Sequence, residues 1–184
     1  MSENTVIQKK DDFIMLPTSD FCFKELMQNS KVRKGIISAL LGISPEEIAG
    51  TKLLPTSTTE EYPDGKLGIL DVLIKLENGT QVGMEMQVAK YDYWTNRILF
   101  YLCRMFTGQI EKGDTYDKLK KCIHVSFLDF IHFENDYDFY RKITLRDEKN
   151  SEYTDLLELH ILELKKLPPE EQNENGLLKW TRFL

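Results

Sequence analysis

The stretch from Gly68 to Lys90 constrains the fold more than any other, because it alternates apolar and polar residues on both sides of a turn signal. The pair Asn78-Gly79 between the two arms is typical of a tight β-hairpin turn. The stretch therefore predicts a β-hairpin with one apolar face. Its apolar positions are Leu70, Val72, Ile74, Leu76, Val82, Met84, Met86 and Val88.

The length of the hairpin loop decides which side chains share a face. A two-residue loop of Asn78 and Gly79 would mix polar and apolar side chains on both faces. A three-residue loop that begins at Glu77, with Gly79 in the left-handed conformation of a bulge, makes one face wholly apolar. We therefore predict the three-residue loop. The predicted pairs are Leu70 with Met86, Val72 with Met84, and Ile74 with Val82.

The same register places two carboxylates together on the other face of the hairpin. Asp71 is then opposite Glu85, with Cβ atoms roughly 5 Å apart, and Gln87 follows along the same face. Two carboxylates at this spacing repel each other unless they share a proton or a cation. Since no lysine or arginine of the two strands is placed to neutralise them, a divalent metal ion is the simplest solution. We predict that Asp71 and Glu85 bind it, the alternative being buried carboxyl groups held by hydrogen bonds. Gln87 alone would be an ordinary strand residue.

Composition limits the class of protein. The chain has 184 residues, 41% of them apolar, which suits one globular domain with a true core. It has no run of 18 apolar residues and begins with a polar segment, so we expect neither a membrane span nor a signal peptide. Its three cysteines lack the spacing of a zinc site, as expected of reduced thiols in a cytoplasmic protein.

The net charge of −6 argues mildly against a nucleic-acid partner, because binding to phosphates requires lysine and arginine. The objection is not decisive. The part of the chain that contains the hairpin is less acidic than the remainder, and a metal site needs acidic residues of its own.

Helical and strand patterns follow one another along the chain and predict an α/β domain, on the border of α+β, with a mixed central sheet flanked by helices. Besides the hairpin, the predicted elements are helices at 20–29, 30–41 and 91–112, strands at 52–61 and 122–130, and an antiparallel strand pair at 140–145 and 156–164.

Four segments, in order and each on the expected element, carry a resemblance to a known family. They are Asp20–Lys24, Leu70–Val72, Glu85–Gln87 and Arg97–Tyr101. Together they resemble the PD-(D/E)xK nuclease superfamily and, within it, the Rpn family of recombination-promoting nucleases and transposases. The resemblance covers roughly residues 13–130.

The resemblance implies a restriction-endonuclease-like core and a magnesium-dependent DNA endonuclease, with Mn²⁺ as a substitute for Mg²⁺. It implies Asp71 and Glu85 as catalytic residues and metal ligands, with Gln87 at the catalytic lysine position of the superfamily. DNA would be the partner, and a homodimer is left open. The accessory residues it implies are Asp20, Lys24, Arg97 and Tyr101.

Gln87 departs from the wider superfamily, because a lysine can hold or deprotonate the attacking water, whereas an amide can only orient it. Either the metal ion itself lowers the pKa of the water, or a base comes from elsewhere, with Lys24 and Lys90 as candidates. Two other readings stay open. The chain could be a catalytically weak module that binds nucleic acid or protein, or a nuclease that acts on RNA.

Several candidate residues also have ordinary structural roles. Asp20 is favoured as a helix N-cap, Lys24 as a solvated or accessory residue, and Arg97 with Arg104 as either a phosphate-facing stripe or a solvated helix face. We predict that Tyr91, Tyr93 and Trp94 lie in the core or at an interface. We assign no chemistry to the three histidines, which are His124, His132 and His160. Glu60 and Glu61 either face the solvent or supply a third carboxylate to the site.

Three segments divide the chain. Residues 1–12 are expected to form a disordered leader, 13–167 the nuclease-like domain, and 168–184 a linker with the start of a helical segment. The apolar residues Trp180 and Phe183 indicate that this last segment either continues into a longer chain or docks on the domain.

Overall fold

The computed structural model describes residues 15–46, 48, 50–55, 70–170 and 175–184. Within these ranges, no helix is long and apolar enough to cross a membrane. The elements are α1 (Asp20–Gln28), α2 (Ser30–Leu41), β1 (Thr51–Leu54), β2 (Val72–Leu76), β3 (Gln81–Gln87), α3 (Trp94–Thr107), β4 (Cys122–Leu128), β5 (Tyr140–Arg146), β6 (Glu152–Glu163) and α4 (Gly176–Phe183).

The six strands form one mixed sheet in the order β1-β2-β3-β4-β6-β5. The strands β3, β4 and β6 at its centre run parallel, while β1, β2 and β5 pair antiparallel with their neighbours. The mixed sheet and the antiparallel pair β5–β6 confirm the predicted fold class. The strand predicted at 52–61 is described only as far as Leu54, and its continuation from residue 56 lies outside the described residues, as do Glu60 and Glu61.

The hairpin β2–β3 has the predicted register, with Val72 paired to Met84 and Ile74 paired to Val82. Its loop is the three-residue one, because the Leu76 N–H donates to the Thr80 carbonyl at 2.9 Å. Gly79 has a φ of +89°, a left-handed conformation that glycine adopts without a steric penalty.

The predicted pair of Leu70 with Met86 is wrong. Leu70 precedes β2 and packs with Leu73 and Met105 in the cluster on the opposite face of the sheet. The reason is a side-chain hydrogen bond, since Oδ2 of Asp71 accepts the Met86 N–H at 2.9 Å and takes the place of a backbone partner. The ladder therefore stops at Val72, and the freed chain turns away.

Two helices differ from the predicted ones at their ends. Ser19, and not Asp20, caps α1, with its Oγ accepting the Cys22 N–H at 3.3 Å. Helix α2 has the predicted bounds and is capped by Asn29. The predicted helix at 91–112 extends only over α3, because Tyr93 has a left-handed φ of 64° and Gly108 ends the last turn.

Helices cover both faces of the sheet. On one face, α1, α2 and α4 pack over a core that includes Phe23, Ile37 and Phe127. On the other face, α3 packs directly on β3, and the absence of a side chain at Gly83 permits this contact. A Cβ atom there would lie 2.7 Å from Sδ of Met105. The close approach brings one side of α3 over the carboxyl end of β3.

The C-terminal segment docks on the domain. Helix α4 contacts α2, and Leu177, Trp180 and Leu184 join the main hydrophobic core. The sequence predicted that this segment either continues into a longer chain or docks on the domain, and the structure shows it docked. The division of the chain into leader, domain and linker stays a prediction.

Candidate active site

The predicted carboxylates meet at the end of the hairpin. Asp71 stands immediately before β2 and Glu85 lies near the end of β3, on the face covered by α3. Continuation of the β2–β3 register places the two residues opposite each other. Glu85 is only 2% exposed, whereas Asp71 is half-buried.

An open cleft of about 960 Å³ surrounds this pair. All seven site residues predicted from the sequence lie on its walls, contributed by α1, the hairpin and α3. They are Asp20, Lys24, Asp71, Glu85, Gln87, Arg97 and Tyr101. The structure therefore brings together residues that are up to 81 positions apart in the chain, although proximity alone does not assign their roles.

Arg97 on α3 neutralises Glu85. Its Nη2 forms an ion pair with Oε1 of Glu85. Its Nε donates to the hydroxyl of Tyr101 at 2.8 Å and its Nη1 donates to the hydroxyl of Tyr91. The guanidinium carbon lies 5.1 Å from the Tyr101 ring centre and 5.6 Å from that of Tyr91, so two rings and three polar partners fix it. Helical spacing explains the Tyr101 contact, since residues i and i+4 share a side.

Lys24 on α1 forms a longer ion pair with the other carboxylate, Asp71. Its Nζ lies 2.8 Å from Oδ1 of Asp20 and 3.6 Å from Oδ1 of Asp71. The hydrogen bond to Asp20 raises the pKa of Lys24 above its usual value, so the amine is charged at neutral pH. A charged amine cannot accept a proton, which argues against Lys24 as the base.

Lys90 is the other lysine considered as a base. Its Nζ pairs with Oε1 of Glu134 at 3.1 Å. Lys90 is not among the described residues that line the cleft.

Burial perturbs both carboxyl groups. It raises the pKa of Glu85 to about 7, an effect that the charge of Arg97 opposes and that of Asp71 reinforces. Burial also raises the pKa of Asp71, although the Met86 N–H opposes the shift. Carboxylates perturbed by desolvation and by each other in a cleft are typical of functional sites.

His124 lies against Glu85, a contact to which no pattern in the sequence points. It is fully buried on β4, with Nε2 3.8 Å from Oε2 of Glu85. Burial lowers the pKa of His124 to about 3, so the ring is neutral. The sequence shows only a histidine within an apolar strand. Its contact with Glu85 depends on the parallel β3–β4 register, which no local pattern encodes.

Oxygen donors of this pair fit a divalent cation. Oε2 of Glu85 is buried and has no hydrogen-bond partner in this structure, so a cation or a nearby donor is needed to satisfy it, while Oε1 of the same carboxyl group is bound by Arg97. Oδ1 of Asp71 lies too far from Lys24 for a strong hydrogen bond. Among the described residues, no group of three His, Cys, Asp or Glu side chains could hold a metal ion. Two carboxylates suffice for Mg²⁺, which usually keeps several waters and binds substrate phosphates.

Gln87 lines the same cleft, but its amide is turned along its own strand. The Nε2 group donates to the Ala89 carbonyl at 2.9 Å. The carbonyl oxygen of the side chain remains for a contact with water or a ligand.

The aromatic residues before and within α3 divide into two groups. Trp94 is buried in the core as predicted, but Tyr93 is 80% exposed and lines the cleft, so it does not belong to the core, and an interface role for it stays a prediction. The left-handed backbone at Tyr93 accounts for this, since it turns the ring outward one residue before the helix begins. Arg104 is not among the described residues that line the cleft, which limits the proposed arginine stripe to Arg97.

Comparison with known proteins agrees with the geometry. No curated protein and no solved structure matches the chain. The family model described as PD-(D/E)XK nuclease family transposase matches residues 17–184 and thus spans every described element of the fold. On that match, which confirms the family indicated by the sequence motifs, the chain belongs to the PD-(D/E)XK nuclease family transposases.

Proposed function

We propose that the protein hydrolyses phosphodiester bonds of DNA with a divalent cation, Mg²⁺ or Mn²⁺, held by Asp71 and Glu85. One observation carries the proposal: two desolvated carboxyl groups, those of Asp71 and Glu85, line one cleft in a member of a nuclease family. A cation bound there supplies positive charge to the phosphate and lowers the pKa of the attacking water.

The charges that line the cleft explain why DNA binding would depend on the cation. Among the described residues, four acidic and two basic ones line the cleft: Asp20, Asp71, Glu85 and Asp92 against Lys24 and Arg97. A phosphate diester entering such a site meets net negative charge, which is unfavourable in a partly desolvated space. Asp71 and Glu85 therefore bind the cation first, and the phosphate binds afterwards.

The basic residues and Gln87 then act on the phosphate and the water. Arg97 exchanges Oε1 of Glu85 for a phosphate oxygen, a partner that suits its planar guanidinium. Lys24, which is charged, donates to the same phosphate. Gln87 orients the attacking water through its side-chain oxygen but does not accept its proton. Water adds across the P–O bond, which leaves a phosphate monoester on one fragment and a hydroxyl on the other.

A binding module without turnover is the second candidate, and one contact favours it. The Arg97–Glu85 ion pair already neutralises one carboxylate, and the amide of Gln87 is bonded to Ala89 and not aimed at the pair. If Arg97 holds Glu85 permanently, the cleft has no cation site and the fold serves for contacts alone.

A cleavage assay separates these functions. Supercoiled plasmid and a single-stranded RNA are incubated with the protein in Mg²⁺, Mn²⁺ or EDTA. We expect the plasmid to be nicked only with a cation. Asp71→Asn and Glu85→Gln should each slow nicking more than about 100-fold, because even residues that merely support metal ligands cost 10- to 100-fold.

Asp92→Asn is the matched control, since it removes one acidic charge from the exposed rim of the same cleft. It should cut about as fast as the parent. Cleavage of the RNA but not of the plasmid would contradict the proposed substrate. Cation-independent nicking, or equal rates in the parent and Glu85→Gln, would contradict the proposed site, and binding of DNA without any cutting would favour the module.

A further inference from the structure

His124 and Glu85 face each other across the parallel strands β3 and β4. The register pairs Gly83 with His124 and Glu85 with Ser126, so the four residues share the face covered by α3. The ring of His124 also stacks on Tyr101, with ring centres 6.3 Å apart. His124 is thus held between the strand that carries the carboxylate and the helix that carries Arg97.

Two buried polar atoms at this contact lack a partner. They are Oε2 of Glu85 and Nε2 of His124, and they lie 3.8 Å apart. That distance exceeds a hydrogen bond, yet it leaves no space for a water molecule on the line between the atoms. A movement of about 0.8 Å would bring the two atoms to ordinary hydrogen-bonding distance. Closing this gap would give each of these atoms the partner that it lacks.

The other ring nitrogen indicates which atom carries the proton. Nδ1 of His124 lies 3.3 Å from Oγ of Ser126. A serine hydroxyl can donate to an unprotonated Nδ1, which leaves the single proton of a neutral ring on Nε2. The opposite tautomer would direct the lone pair of Nε2 at Oε2 of Glu85, which is repulsive when Glu85 is ionised, the form in which it pairs with Arg97. The geometry therefore favours an Nε2–H directed at Glu85.

We propose that His124 is a positioning residue, which donates its Nε2–H to Oε2 of Glu85 and so holds Oε1 towards the cleft. Oε1 is the oxygen that Arg97 binds in this structure. With Oε2 held by His124, Glu85 can exchange Arg97 for a cation without losing its orientation. The consequence for cation binding rests on the proposed function, whereas the hydrogen bond itself does not.

The tautomer is measured by NMR on the parent protein labelled with ¹⁵N-histidine. We expect the ring of His124 to be neutral with its proton on Nε2, retained in slow exchange because the residue is fully buried. The resonance is assigned by its absence from His124→Gln. A proton found on Nδ1 of His124 would overturn the proposal, whether or not the protein cuts DNA.

Two substitutions of His124 test its effect on cation binding. His124→Phe keeps a planar ring but has no donor, while His124→Gln places an amide donor near the position of Nε2. Calorimetric titration with Mn²⁺ should show the affinity of His124→Phe reduced about 10- to 100-fold and that of His124→Gln restored to near that of the parent. Nicking rates should follow the same order.

Equal affinities in the parent and His124→Phe would overturn the positioning role. So would a His124→Gln protein as weak as His124→Phe, because the loss would then come from packing of the ring. If the parent itself binds no cation, the proposed function fails and the NMR result alone decides whether the hydrogen bond exists. The NMR result also decides if neither variant folds.

Discussion

Tyr93 combines a strained backbone with an exposed side chain at the entrance of the cleft. Its φ of 64° is left-handed, its side chain makes no capping hydrogen bond to α3, and it is 80% exposed. A left-handed conformation costs an L residue roughly 1–2 kcal/mol, and non-glycine residues held in it concentrate at functional sites. Because the side chain of Tyr93 is mostly exposed, burial of its apolar surface offsets little of this conformational cost.

Substitution of Tyr93 measures that strain. Tyr93→Gly should raise the free energy of unfolding by about 1 kcal/mol, since glycine adopts a positive φ without the steric penalty. Urea denaturation gives the value. Tyr153→Gly is the control, because Tyr153 is 83% exposed within β6 and its replacement by glycine should destabilise the protein. A Tyr93→Gly protein that is less stable than the parent would show that the ring makes a compensating contact.

The residues of the site differ in how far the sequence predicts them. Asp71 and Glu85 follow from alternation around a turn, a pattern contained within 20 residues. Arg97 follows only from the family resemblance, and its ion pair with Glu85 requires the contact between α3 and β3. His124 follows from neither, because its role depends on the register of two strands that the chain joins by a long crossover.

At the scale of elements, a second buried carboxylate links β5 and β6 to the residue that precedes β4, on the face opposite α3. Glu158 on β6 is 3% exposed, and its Oε1 accepts from Nζ of Lys121 at 2.7 Å and from Nζ of Lys142 at 2.9 Å. Its Oε2 lies 3.1 Å from Nε2 of His160, whose Nδ1 meets the Tyr140 hydroxyl at 2.9 Å. Burial alone would raise the pKa of Glu158, but the hydrogen bonds outweigh it and lower the pKa to about 2.

This network predicts a pH-dependent contribution to stability. Because the pKa of Glu158 is lower in the folded than in the unfolded protein, its contribution is complete above about pH 4.5 and declines as the pH falls towards 2. Glu158→Gln should therefore destabilise the protein by roughly 3 kcal/mol at pH 7, since it breaks a buried ion pair. The difference from the parent should shrink at pH 3.

Urea denaturation of both proteins at pH 7 and pH 3 measures this difference. Glu152→Gln, a change of the same kind at an exposed position of β6, should alter stability by less than about 0.5 kcal/mol. A deficit of the same size at both pH values would mean that Glu158 acts through packing and not through its charge.

Elements with strong local signals were predictable, whereas their ends were not. The buried strand β4 and the pair β5–β6 follow from apolar runs and alternation. The start of α3 depends on one left-handed residue, and the end of the β2 ladder depends on the Asp71 side chain replacing a backbone partner of Met86. A periodic sequence pattern shows neither the backbone conformation of one residue nor one side-chain hydrogen bond.

The cleft is a property of the whole molecule. Asp20 and Lys24 come from α1 near the beginning of the chain, the carboxylates come from the hairpin, and Arg97 comes from the helix on the opposite face of the sheet. The two helical layers meet over the end of the hairpin and place one basic residue against each carboxylate. The acidic net charge of the chain is compatible with a DNA substrate if the cation supplies the missing positive charge.

Binding of Mn²⁺ to the purified protein without DNA tests this arrangement most directly. Electron paramagnetic resonance of the free ion during a titration gives the number of sites and their affinity. The parent and Asp92→Asn should each bind Mn²⁺ at one site, and Asp71→Asn and Glu85→Gln should lose it. Absence of binding by the parent at millimolar Mn²⁺, or equal binding by the parent and Glu85→Gln, would contradict a cation site at Asp71 and Glu85.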